Sequence, residues 1–166
     1  MRPRTRNKQG FSLANPVHFL ALGFGSGLAP VAPGTFGTLA AVPLYLLASG
    51  LPLSAYLGIV LIGSGLGVWL CERTTRDLAV HDHPAIVWDE IMGYLVTMIA
   101  APPGWIWIGV GFLLFRLFDV WKPWPIGYLD RHLRGGLGIM VDDLVAGVLA
   151  LLILQAMARW TGGISG

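Results

Sequence analysis

Between residues 34 and 160 the chain passes through five apolar stretches, separated only by Gly, Pro and a few charged residues. They are 34–50 (GTFGTLAAVPLYLLASG), 54–71 (SAYLGIVLIGSGLGVWLC), 86–102, 105–121 and 143–160. In hydrocarbon, backbone N–H and C=O groups must be satisfied inside the chain, so such runs are expected as helices. Each is short against the ~20 residues that a helix needs to cross a bilayer. The links LPL at 51–53 and PG at 103–104 are tight and uncharged, which predicts two antiparallel hairpins. Segment 17–33 is too broken by Gly and Pro for a span and reads as a re-entrant or interfacial element.

Composition agrees with that frame. Hydrophobic residues make up 55% of the chain and charged residues 12%, where a soluble domain carries about 25% charge. The mean hydropathy is +0.68. The expected class is an all-α, polytopic helical membrane protein of four to five short spans. A cytoplasmic basic arm, residues 1–15, precedes a single membrane domain, residues 16–166. The arm opens MRPRTRNKQG, and the apolar segment after it is interrupted by Asn15-Pro16 and then by a Gly series. With no small-x-small cleavage site, the arm reads as retained rather than as a signal peptide. The lone Cys71 excludes an internal disulfide and reads as a small apolar helix residue.

Charge placement orients the chain. With the N-terminus in the cytoplasm, Arg2, Arg4, Arg6, Lys8, Arg73, Arg76, Arg116, Lys122, Arg131 and Arg134 all fall on the cytoplasmic side. Only Arg159 lies opposite. Every Asp and Glu also falls on the cytoplasmic side, which predicts one polar site facing that compartment.

Four stretches contribute to it. In GFGSGLAPVAPGTFGT, residues 23–38, Pro33-Gly34 predicts a helix entrance with Thr35 near the N-cap. Free N–H groups at such an entrance suit a phosphate; a flexible bend before a span is the plain alternative. In HDHPAIVWDEIMG, residues 81–93, Pro84 predicts the first helical turn, leaving Asp89 and Glu90 about one and a half turns inside. His81, Asp82 and His83 read as a solvated loop, because no His pair stands at zinc-binding spacing. In FRLFDVWKPWPIGYLDRHLRGG, residues 115–136, Arg116, Asp119 and Lys122 are spaced for a salt-bridge ladder. Lys122-Pro123 breaks that helix where Lys122 can turn toward a ligand instead. In GGLGIMVDDLVAG, residues 135–147, Asp142 and Asp143 are expected in the first turn of the last helix.

A carboxylate inside a span costs about 2.5–3.5 kcal/mol even on insertion scales. Five of them, Asp89, Glu90, Asp119, Asp142 and Asp143, gathered at one face repel each other unless a cation intervenes. An all-oxygen ligand set points to a hard ion, Mg²⁺. Arg116 and Lys122 would then meet an anionic partner, namely phosphate. Carboxylates, Mg²⁺ and basic groups at a lipid face suggest phosphate chemistry on a lipid headgroup, with no nucleic-acid partner. A cation- or proton-coupled transporter using the same cluster is the alternative. It would be expected to carry carboxylates nearer the midplane and two related halves, and no repeat is visible.

The chain resembles the phosphatidylglycerophosphatase A type of lipid phosphatase. The resemblance rests on GSGLAPVAPGTFGTLAA, IVWDEIMG, FRLFDVWKPWPI and GGLGIMVDDLVAG, in that order over about residues 23–150. It implies Mg²⁺-dependent hydrolysis of the terminal phosphate of phosphatidylglycerophosphate, giving phosphatidylglycerol, in the bacterial inner membrane. The expected chemistry is metal-assisted attack by water, with an aspartyl-phosphate intermediate as the alternative. The five carboxylates are expected to hold one or two Mg²⁺ ions and to serve catalysis. Thr35, Thr38, Arg116 and Lys122 are expected to bind the substrate phosphate.

Overall fold

A computed structural model describes residues 10–79 and 83–162. Those residues form seven α-helices and no strand: α1 (Pro16–Ala21), α2 (Pro33–Ala48), α3 (Leu53–Leu78), α4 (Trp88–Thr97), α5 (Trp105–Trp121), α6 (Ile126–His132) and α7 (Gly135–Trp160). A single 3-10 turn, Ser26–Leu28, lies between α1 and α2. The first nine residues of the basic arm, together with His81 and Asp82, lie outside the described residues.

The helix boundaries obey local chemistry. Asn15 caps α1, its side chain accepting from the Val17 N–H at 3.0 Å, with Pro16 in the first turn. Segment 17–33 is therefore α1, the 3-10 turn and loop rather than a span. The α2 helix starts at Pro33, as the Pro-Gly signal predicts. α3 runs on to Leu78, well past the apolar stretch ending at Cys71, so it carries Glu72, Arg73, Arg76 and Asp77 on a helical end. α5 stops at Lys122, which adopts a left-handed φ of 46° immediately before Pro123.

Two boundaries differ from expectation. The stretch 86–102 contains only the 10-residue α4, about 15 Å long and half the thickness of a bilayer core. It starts at Trp88 rather than at Pro84, so Asp89 and Glu90 lie in its first turn. α7 starts at Gly135, which puts Asp142 and Asp143 about two turns inside it instead of at its mouth. The reason is in α3. Glu72 Oε2 accepts from the Gly136 N–H at 2.7 Å, capping α7 well before the point that hydropathy alone indicates.

α4 occupies the centre, packed by α7, α2, α3 and α5. Trp88 and every residue from Ile91 to Thr97 are buried. Close approach needs small residues: a Cβ on Gly147 of α7 would meet the Gly93 carbonyl of α4. Tyr56 ties α3 to α4 by donating to the Leu95 carbonyl at 2.7 Å. Outside this core the sides of the bundle carry exposed apolar residues, with Leu47, Leu61, Ile62, Leu113 and Val120 each at least two-thirds exposed. α3 and α7 are long and apolar enough to cross a membrane, and only 17% of the apolar window of α3 is buried. That excludes the buried core helix of a soluble domain for α3.

Candidate active site

Five helix ends meet on one side of the bundle: the starts of α2, α4 and α7 and the ends of α3 and α5. α4 presents Asp89 and Glu90 from its first turn and α7 presents Asp143 from its third. One carboxylate oxygen from each of the three lies within 4.8 Å of the others, a spacing that suits a shared cation. Among the described residues, buried oxygens without a hydrogen-bond partner include Asp89 Oδ1, Glu90 Oε2, Asp142 Oδ1 and Asp143 Oδ2. Buried polar atoms ordinarily find partners. Three of these orphaned oxygens belong to the converging carboxylates Asp89, Glu90 and Asp143, a donor set that a hard divalent cation fits.

The two remaining carboxylates are engaged with cations of the chain. Arg116 Nη1 donates to Asp119 Oδ2 across one turn of α5. Lys122 Nζ donates to Asp142 Oδ2 and to Asp130 Oδ1, both at 2.7 Å. The expected ladder is therefore half formed: Arg116 pairs with Asp119, while Lys122 turns away to α6 and α7. Burial alone would lower the Lys122 pKa, but the hydrogen bonds and charges of Asp130 and Asp142 outweigh it and raise the ammonium above its ordinary range. Asp119 remains within electrostatic reach of Glu90 and Asp143.

The start of α2 closes the site. A Cβ on Gly34 would stand 3.0 Å from Arg116 Nη1 and 3.2 Å from Glu90 Cδ, so glycine lets the helix entrance approach both groups. Thr35 lies in that first turn, after Ala32 at the N-cap, and its N–H already bonds the Ala32 carbonyl at 2.9 Å. Thr38 is fully buried, and its hydroxyl donates to the Gly34 carbonyl at 2.9 Å. Its proton is thus spent inside α2. His83 accepts from the Ala85 N–H at 3.2 Å and packs edge-on against Phe11, so it is a half-buried loop anchor.

Sequence reasoning passed over three partners. Asp130 shares Lys122, Glu72 caps α7, and Asp77 receives both Arg73, at 3.3 Å, and the buried His18, at 3.4 Å. Each stands in a charged helix end (CERTTRD or YLDRHLR), where the sequence signals solvation, and only the helix packing reveals the partner.

The family model described as phosphatidylglycerophosphatase A matches residues 19–158. The phosphatidylglycerophosphatase A of Escherichia coli K12 is 48% identical over 159 residues, covering 95% of this chain and 92% of that protein. That of Haemophilus influenzae is 46% identical over 151 residues, covering 90% and 93%. No solved structure matches the chain. A family match spanning every helix except the start of α1 and the end of α7, and two relatives aligned nearly end to end, agree with the gathered carboxylates: the chain belongs to the phosphatidylglycerophosphatase A family.

Proposed function

We propose that this chain removes the terminal phosphate of phosphatidylglycerophosphate, releasing phosphatidylglycerol, with Mg²⁺ held by Asp89, Glu90 and Asp143. The observation that carries the reading is the convergence of those three carboxylates with orphaned buried oxygens. The relatives' names supply the substrate. When bound, the cation supplies Lewis acidity toward a phosphoryl oxygen and an activated water.

The chain's own groups do the rest. Arg116, beside Glu90 and Gly34, offers N–H donors to the equatorial phosphoryl oxygens, and Lys122 lends a second positive charge. Asp119 and Asp142 hold these two cations in place, so both carboxylates serve catalysis through their partners. Thr35 offers its hydroxyl from the first turn of α2, whereas Thr38 supports that turn from inside. Partial burial of the cluster among helices lowers the local dielectric and strengthens each charge–charge interaction. The transporter alternative finds no support, since both relatives are named as phosphatases.

The setting we propose is a bacterial inner membrane, with α2, α3, α5 and α7 crossing and α4 inserted halfway. The basic arm and the polar helix ends face the cytoplasm. Residues 16–166 act as one domain. The direct test is phosphate release by purified protein in detergent, from phosphatidylglycerophosphate and from phosphatidic acid, each with and without Mg²⁺. Mg²⁺-dependent release from phosphatidylglycerophosphate is expected; none, or equal rates with chelator, would overturn the reading.

A further inference from the structure

α2 and α3 diverge from the link at 49–52, and each packs on α4 more than on the other. The wedge between them is an apolar cleft of about 310 Å³. Leu44 and Leu47 of α2, Ile59 and Val60 of α3, and Ile91 and Met92 of α4 are among the residues that line it. Leu47 is 80% exposed and Ile59 42% exposed, so the cleft opens sideways onto the apolar belt. One end is marked by Trp88, whose indole N–H donates to the Gly63 carbonyl at 3.0 Å and whose ring meets Phe24 at 6.2 Å. Trp88 directly precedes Asp89. On a helix, neighbours differ in depth by only about 1.5 Å and point about 100° apart. Trp88, Ile91, Met92 and Leu95 thus face the cleft while Asp89 and Glu90 face the acidic cluster, at the same depth on adjoining sides of α4.

We infer that this cleft holds an acyl chain of the lipid whose phosphate lies at Asp89, Glu90 and Asp143. The inference rests on the phosphatase reading above. Three features select this occupant. The lining is hydrocarbon, the mouth is continuous with the apolar surface that faces lipid, and the polar end coincides in depth with the cluster. From Trp88 to Leu95 the floor is about 10 Å long at about 1.5 Å per residue, enough to register one segment of an extended chain. A lipid seated there straddles the start of α4, its headgroup on the acidic side and its tail on the other. An apolar slot adds binding in proportion to the methylenes it covers, so it favours long-chain substrate through KM.

The test fills the cleft from its exposed rim. Ile59→Trp and Leu47→Trp each put an indole into it, and Leu61→Trp puts the same group on the outer face of α3. All three are assayed for kcat and KM on phosphatidylglycerophosphate with 18-carbon chains and with 6-carbon chains. The rim variants are expected to lose about tenfold in kcat/KM on the long-chain lipid, through KM, the equivalent of about two buried methylenes. Their activity on the short-chain lipid should stay within about twofold of wild type, and Leu61→Trp should change neither. Rim variants indistinguishable from Leu61→Trp, or equally impaired on both lipids, would overturn the inference. No phosphate release by the wild type would instead overturn the phosphatase reading beneath it.

Discussion

Asp143 shows how position decides the meaning of a carboxylate. It is 3% exposed and is one of the three converging carboxylates, whereas Asp142, its neighbour, is paired with Lys122. Asp143→Asn should therefore act on the cation requirement, lowering turnover by about 100-fold and raising the Mg²⁺ midpoint, while the fold holds. A Mg²⁺ titration of phosphate release, beside the melting temperature in detergent, checks both. Lys122→Met should do the reverse in part. It strands the buried Asp142 without its cation, so stability falls by about 1–3 kcal/mol as well as activity. At about 2–4 °C per kcal/mol for a chain of this size, a lower Tm separates this variant from Asp143→Asn. The spacing of Arg116, Asp119 and Lys122 alone suggests one ladder; the left-handed turn at Lys122 divides it into the Arg116–Asp119 pair on α5 and a Lys122 shared by Asp130 and Asp142.

At the scale of elements, α2 and α7 bring their starts to the site by different means. The α2 entrance depends on the missing side chain at Gly34, because a methyl there would press on the Glu90 carboxylate and Arg116. Gly34→Ala should cut kcat by more than about tenfold, since sub-ångström displacement at a reacting centre is costly. Its Tm should change little, since the atoms it would meet are the ends of side chains; a pre-steady-state assay with a Tm control measures it. α7 depends on Glu72. Glu72→Ala removes the cap from Gly136, worth about 1 kcal/mol, and Glu72→Gln keeps an acceptor; circular-dichroism melts should find the Gln variant recovering most of the loss. Local and distant determinants of this kind differ in how legible they are from sequence. Hydropathy locates the long helices, and Pro33-Gly34 and Lys122-Pro123 mark a start and a stop, because those signals are local. The start of α7 at Gly135 and the shortness of α4 are hidden, because one depends on Glu72 from a distant helix and the other on burial from all sides. The motif Trp88-Asp89-Glu90 marks two candidate carboxylates, while their meeting with Asp143, more than fifty residues later, needs the packing of α4 on α7.

The whole molecule separates its charged groups from its apolar surface. Every ion pair among the described residues gathers at the end where α3 and α5 finish and α4 and α7 begin. If that end faces the cytoplasm, a membrane-impermeant maleimide should label Arg131→Cys only after cells are permeabilised and Thr161→Cys in intact cells. The native Cys71 is fully buried and should give little background. The same segregation makes global stability a reporter of the site. With no cation, Asp89, Glu90 and Asp143 repel one another; with one bound, folding gains about 2.7 kcal/mol at a hundred times Kd. The most direct measurement is therefore the Tm of wild type and Asp89→Asn in detergent across a Mg²⁺ titration. Wild type should rise by about 5–10 °C, and Asp89→Asn should start as high or higher without Mg²⁺ and rise little. An Asp89→Asn protein that melts lower without Mg²⁺ and titrates with the wild-type midpoint would contradict cation binding at Asp89.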